Sequence, residues 1–135
     1  MINKKFHHIA IVVKDLEDKV PFFCDVYDAK TLGDIYHDNN QLVKVQFIQS
    51  ADIKIELLEP MSSNSPISNF IDYHGSGSLY HIAYEVDNLD LIEKEVIRKK
   101  GKIVSRSKNA WNGMEVMFAV FVEKNVHQLI EYVKV

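Results

Sequence analysis

Two stretches of alternating apolar and polar residues match each other across the chain. In Phe6-His7-His8-Ile9-Ala10-Ile11-Val12-Val13, the residues Ile9, Ile11 and Val13 fall on one side of an extended backbone and His8 on the other. Leu79-Tyr80-His81-Ile82-Ala83-Tyr84-Glu85-Val86 repeats the pattern 73 residues later, with His-Ile-Ala identical. Asp15-Leu16 and Asn88-Leu89 follow at the same offset, each an Asp or Asn placed to cap a helix. Further on, Lys54-Ile55-Glu56-Leu57-Leu58 resembles Leu129-Ile130-Glu131-Tyr132-Val133 at an offset of 75, as a two-residue insertion in the second half would produce. Matches in the same order at nearly one offset indicate an internal duplication.

Each half reads as a strand, a helix and three strands. The first half has a strand over 6–13 and a helix over 15–29, with Leu16, Val20, Phe23 and Tyr27 on one face. Pro21 removes a backbone donor inside that helix, which predicts a kink or a late helix start. Strands are expected near 31–36, 41–49 and 52–58. In the second half the strand is 79–86, the helix 88–100 with Gly101 as its stop, and strands lie near 102–106, 114–122 and 128–134. Between the halves, Ser65 as N-cap, Pro66 in the first turn and Gly75 beyond the end predict a short helix. Gly75-Ser76-Gly77-Ser78 reads as a flexible hinge. The expected class is α+β: two tandem βαβββ modules in one domain of residues 1–135. Module one covers about 1–60, the linker helix about 61–77 and module two about 78–135.

Composition narrows the function. Of 135 residues, 47% are hydrophobic and 26% charged, enough apolar material for a core and unlike a disordered chain. No apolar run approaches the roughly 18–20 residues that span a bilayer, and the N-terminus shows no signal-peptide apolar region. A net charge of −3 provides no field for nucleic acid or an acidic membrane. Cys24 is the only cysteine, which excludes an internal disulfide framework and fits a reducing, cytoplasmic setting. Beside Phe22 and Phe23 it reads as a small core residue.

The chemistry sits in the repeat. Each first strand carries a histidine and each last strand a glutamate: His8 with Glu56, and His81 with Glu131. Strand alternation turns all four away from their apolar neighbours. Two imidazoles and two carboxylates facing inward from a pair of curved sheets suit Zn²⁺, Ni²⁺, Co²⁺ or Fe²⁺ better than Ca²⁺ or Mg²⁺. On strand 41–49, Val43, Val45 and Phe47 read as the apolar face, so Lys44 and Gln46 are expected to face the cavity and bind substrate. Glu115 is a candidate of the same kind, and Trp111 in the neighbouring loop is expected to lean over the site.

These residues reach a known family. The chain resembles the vicinal oxygen chelate (glyoxalase/bleomycin-resistance/dioxygenase) superfamily, and within it methylmalonyl-CoA epimerases most closely. The segments that carry the resemblance are His8-Ile9-Ala10-Ile11-Val12-Val13, Val43-Lys44-Val45, Ile55-Glu56-Leu57-Leu58-Glu59-Pro60, Ser65-Pro66-Ile67 with Phe70-Ile71, Gly75 and Gly77, and His81-Ile82-Ala83-Tyr84-Glu85-Val86-Asp87. The resemblance implies paired βαβββ modules forming a curved, partly closed mixed sheet around a divalent ion (Co, Ni, Zn, Mn or Fe). The ligands it implies are His8, Glu56, His81 and Glu131. It further implies proton abstraction α to a metal-polarised carbonyl, with Glu131 as the first candidate base and Glu56 the second. The implied partners are a small carbonyl substrate such as a methylmalonyl-CoA-like thioester and a second copy of the chain. A glyoxalase I-like lactoylglutathione lyase fits the same ligand set, followed by an Fe(II) dioxygenase and a non-catalytic small-molecule binding protein. The sequence departs from the epimerase pattern at two places. A His-Pro-Lys segment before the last hairpin is absent, and Lys44 stands where some epimerases carry a further glutamate.

Overall fold

The structure, a computed structural model, describes residues 2–108, 110 and 113–135. These form β1 (Lys4–Val12), α1 (Leu16–Val26), β2 (Lys30–Asp38), β3 (Val43–Ser50), β4 (Ile53–Pro60), α2 (Ser68–His74), β5 (Leu79–Val86), α3 (Leu89–Arg98), β6 (Lys102–Ser107), β7 (Glu115–Glu123) and β8 (Val126–Lys134). The fold is α+β, with the βαβββ order occurring twice as the sequence predicts. Two compact units divide the chain: residues 8–80, and residues 81–135 together with 1–7.

In the unit of residues 8–80 the strands lie in the order β2-β3-β4-β1. β1 and β4 are parallel, and the two remaining pairs are antiparallel. A parallel pair cannot be closed by a hairpin, and the chain between β1 and β4 carries α1 across one face. Asp15 caps α1 through a bond from the Asp18 N–H, and the Glu59 carboxylate on β4 accepts from the Leu16 N–H at 2.7 Å. This double anchoring starts the helix at Leu16 despite Pro21, so the late start that proline predicted does not occur. The helix ends at Val26, short of the expected residue 29. Leu16 and Phe23 pack with Ile11, Val13, Ile48, Ile55 and Leu57 beneath the helix, and half-buried Cys24 joins them. The opposite face is apolar as well. Ala10, Val12, Val43, Val45 and Leu58 are covered by Ile67 and Ile71, and Tyr36, Phe47, Phe70 and Tyr80 pack around that cluster.

The linker helix begins later than its capping pattern implied. Ser65 and Pro66 lie in the preceding turns, Ile67 occupies the N-cap position, and no side chain caps the helix. Ser65 Oγ accepts from the Ile67 N–H at 3.4 Å, the Ser68 N–H donates to the Ser65 carbonyl and the Ser68 hydroxyl to the Ser62 carbonyl, so serine side chains and a backbone turn hold the approach to the helix one turn before its observed start. The expected hinge at 75–78 is tied down. Gly77 N–H donates to Val12 O, Val12 N–H to Ser78 O, and Lys14 N–H to Ser76 Oγ.

The second unit repeats the plan with order β5-β8-β7-β6, β5 and β8 parallel, and antiparallel pairs elsewhere. Asn88 caps α3 as Asp15 caps α1. Leu89, Ile92 and Val96 pack on Val86, Met117, Ala119 and Tyr132. Burial, followed by the neighbouring Tyr84 and Glu95 charges, pushes the Tyr132 phenol up to about 12. The residue that turns left-handed after α3 is Lys100, at φ 64°, with Gly101 one position later. Gly101 is required by space instead: a Cβ there would stand 2.6 Å from Phe121 Cε1 and 2.9 Å from Val96 Cγ1.

Candidate metal centre

In the unit of residues 8–80, His8 on β1 and Glu56 on β4 come together, with His8 Nε2 3.3 Å from a Glu56 carboxylate oxygen. Parallel pairing sets Ala10 beside Glu56, and alternation places His8 on that same face. Antiparallel pairing then sets Phe47 beside Glu56, and the Phe47 ring stands edge-on to the His8 imidazole with centroids 5.4 Å apart. The second unit repeats the register and the ring contact. Ala83 is paired with Glu131, Phe118 with Glu131, and Phe118 stands edge-on to His81 at 5.2 Å. His8 is 0% exposed, Glu56 5%, His81 3% and Glu131 4%. Each unit therefore holds one buried imidazole and one buried carboxylate, with a phenylalanine alongside.

That donor set fits a borderline divalent metal: imidazole nitrogen and carboxylate oxygen are its ordinary ligands. Burying a carboxylate is costly unless positive charge compensates it, and the aromatic edges limit where each imidazole can turn. Near Glu56, Tyr80 at the start of β5 is raised above its usual phenol range, mostly by burial and in part by the Glu56 charge.

The expected substrate-binding residues fall elsewhere. Register makes Phe47 and Glu56 share a face, so Val43 and Val45 lie on the site side and Lys44 and Gln46 on the α1 side. Lys44 Nζ sits 3.5 Å from the Glu59 carboxylate that anchors α1. The buried Gln46 amide donates to the carbonyls of Leu32, Gly33 and Phe47, at 3.3, 3.1 and 2.9 Å. Both side chains therefore lie on the face opposite Glu56. Glu115 is likewise turned to the helix side, where it pairs with Arg106 and Lys134 while Arg106 also reaches Asp90 of α3. Trp111 lies outside the described residues. Sequence reasoning missed Phe47 and Phe118, although Val45-Gln46-Phe47 and Val116-Met117-Phe118 form a further Val-x-Phe repeat.

The Glyoxalase/Bleomycin resistance protein/Dioxygenase superfamily model matches residues 7–118. The chain belongs to that superfamily. Relatives within it include methylmalonyl-CoA epimerase, mitochondrial, of Bos taurus, 32% identical over 115 residues, covering 84% of this chain. The chain spans 65% of the length of that mammalian relative. The ethylmalonyl-CoA/methylmalonyl-CoA epimerase of Cereibacter sphaeroides is 32% identical over 117 residues, covering 84% of this chain and 86% of its own length. Among solved structures, a hypothetical protein from Bacillus halodurans superposes with a TM-score of 0.85 at 30% identity, covering 98% of this chain and 95% of its own. No described helix is long and apolar enough to cross a membrane.

Proposed function

We propose that this protein is a divalent-metal-dependent epimerase that exchanges the proton α to the carbonyl of a methylmalonyl-CoA-class thioester. The observation that carries the reading is the buried His–Phe–Glu arrangement made once by each unit, in a chain whose relatives are named as epimerases of such thioesters. In this reading His8, Glu56 and His81, whose ligand atoms lie within 4.8 Å of one another, would hold the ion together with buried Glu131, within the single domain of residues 1–135. What a bound divalent cation supplies is Lewis acidity, which lowers the barrier to loss of a proton beside a coordinated carbonyl.

The residues do the rest. Glu131 takes the α-proton at a carboxylate oxygen, and Glu56 is the second carboxylate able to do so. Delivery of a proton by Glu56 to the opposite face inverts the carbon; return by Glu131 to the same face restores it. In either case exchange of the delivering carboxyl group with solvent labels C2. His8 and His81 would hold the ion, with Phe47 and Phe118 standing edge-on to their rings, and this leaves the proton transfer to the carboxylates. The protein works in the cytoplasm as a homodimer in which each chain carries a complete site; sedimentation equilibrium at twice the chain mass checks the assembly.

The test is incubation of the Co²⁺-loaded protein with methylmalonyl-CoA in D₂O. One deuterium at C2 is expected, and Glu131→Gln is expected to slow its entry by about 10²-fold or more, the usual contribution of a positioned base. Full activity in Glu131→Gln contradicts the base assignment. No exchange at all, together with turnover of a methylglyoxal–thiol adduct, replaces this reading with the lyase.

A further inference from the structure

β2 contains a register shift between Leu32 and Tyr36. Leu32 is paired with Phe47 and Tyr36 with Val45, so four residues of β2 span what two residues of β3 span. An unbroken strand would set Asp34 opposite Val45; the bulge sets Tyr36 there. Tyr36 thereby joins the face that carries Phe47 and Glu56, since cross-strand partners share a face. The bulge is built in: Gly33 adopts φ 68°, and the buried Gln46 amide bonds to both Leu32 O and Gly33 O. Tyr36, Phe47 and Tyr80 are all half-buried and pack on the same cluster of Val43, Val45 and Leu58. The Tyr80 ring is held edge-on to Phe70 at 4.9 Å.

The geometry points to Tyr36, Phe47 and Tyr80 as an aromatic wall beside the His8–Glu56 pair that receives the α-alkyl substituent of the substrate and sets which chain length is accepted. This deepens the epimerase reading and rests on it. A half-buried wall of rings offers apolar contact to an alkyl group next to a carboxylate-lined position, and Tyr36 is the member that the bulge delivers. Tyr36 is thus a specificity-determining residue, and Gln46 positions it.

The experiment measures binding of malonate, methylmalonate, ethylmalonate and butylmalonate by calorimetry in saturating Co²⁺, for the parent protein, Tyr36→Ala and Tyr36→Phe. Fit of a single methylene in an apolar pocket is commonly worth about tenfold. The expected result is a change of tenfold or more in the butylmalonate-to-methylmalonate affinity ratio in Tyr36→Ala, with malonate affinity altered less than twofold. Tyr36→Phe, which keeps the ring, retains the parent ratio. A ratio unchanged within twofold in Tyr36→Ala, or no binding of any of these acids, overturns the proposal. Deuterium entry into methylmalonyl-CoA is read in parallel on the parent protein. Absent exchange with a responsive affinity ratio refutes the epimerase reading and leaves the wall standing; exchange with an unresponsive ratio refutes the wall alone.

Discussion

Replacing Gln46 with methionine separates a residue that binds substrate from one that holds the fold. Met117 occupies the corresponding position of the second unit, buried among Val86, Leu89, Ile92 and Tyr132, so the side chain is tolerated by that strand geometry. In the first unit the exchange removes three donor contacts, at 2.9, 3.1 and 3.3 Å, to the carbonyls of Phe47, Gly33 and Leu32. A neutral hydrogen bond contributes about 1 kcal/mol net. Gly33 is exposed and can turn its carbonyl to water, whereas the Phe47 and Leu32 carbonyls are half-buried. The expected loss is therefore about 2–3 kcal/mol. Urea denaturation followed by circular dichroism reads this as a lowered midpoint with an unchanged slope. Metal affinity is expected to stay within twofold, because Gln46 lies on the α1 side of the strand, while discrimination among alkylmalonates weakens as the bulge relaxes. A stability change below about 0.5 kcal/mol would refute the structural role, and a lost metal site would refute the assignment of faces.

Three further outcomes follow from the same geometry. Lys44→Ala and Glu115→Gln should each leave deuterium exchange within about twofold of the parent, since both side chains pair with groups on the helix side; a tenfold loss of kcat/KM in either would restore it to the site. Gly101→Ala should destabilise by about 1–3 kcal/mol through overpacking against Phe121 and Val96, whereas Lys100→Gly should stabilise by up to about 1 kcal/mol at its left-handed φ; both are read from thermal or urea unfolding. The Tyr132 phenol, pushed up to about 12 in the fold against about 10 for an ordinary tyrosine, contributes stability that is complete below pH 10 and lost as pH rises through 12. Tyr132→Phe should thus flatten the fall of stability between pH 10 and 12 relative to the parent, and an unchanged slope there would contradict the shift.

The duplication and the four candidate ligands were legible because period-two alternation and a shared offset do not depend on tertiary contacts. His8 and His81 could be matched by eye, as could Glu56 and Glu131. The side of β3 that faces the site was not legible. Both faces of the strands in residues 8–80 are apolar, one under α1 and the other under Ile67 and Ile71, so the alternation of Val43, Val45 and Phe47 carries no information about direction. Register decides it, by pairing Phe47 with Glu56. A polar residue such as Gln46 looked like cavity lining because nothing in a single strand shows that a neighbouring strand will bulge and leave carbonyls for it to satisfy. Ser65 makes the expected side-chain bond, its Oγ accepting from the Ile67 N–H, but in the turn before the helix and not at its N-cap, because serine before proline suits a turn as well as a cap. Gly101 was placed correctly at the end of α3, but steric exclusion by Phe121, not helix termination, explains it.

In the proposed function one His–Glu pair from each unit serves a single ion. Calorimetric titration with Co²⁺, backed by elemental analysis of the purified protein, tests it in the parent, His8→Ala and His81→Ala. One ion per chain is expected in the parent, with its affinity lowered by about 10²-fold or more by either substitution. Two ions per chain, half of the binding surviving in either variant, or no binding in the parent would contradict it.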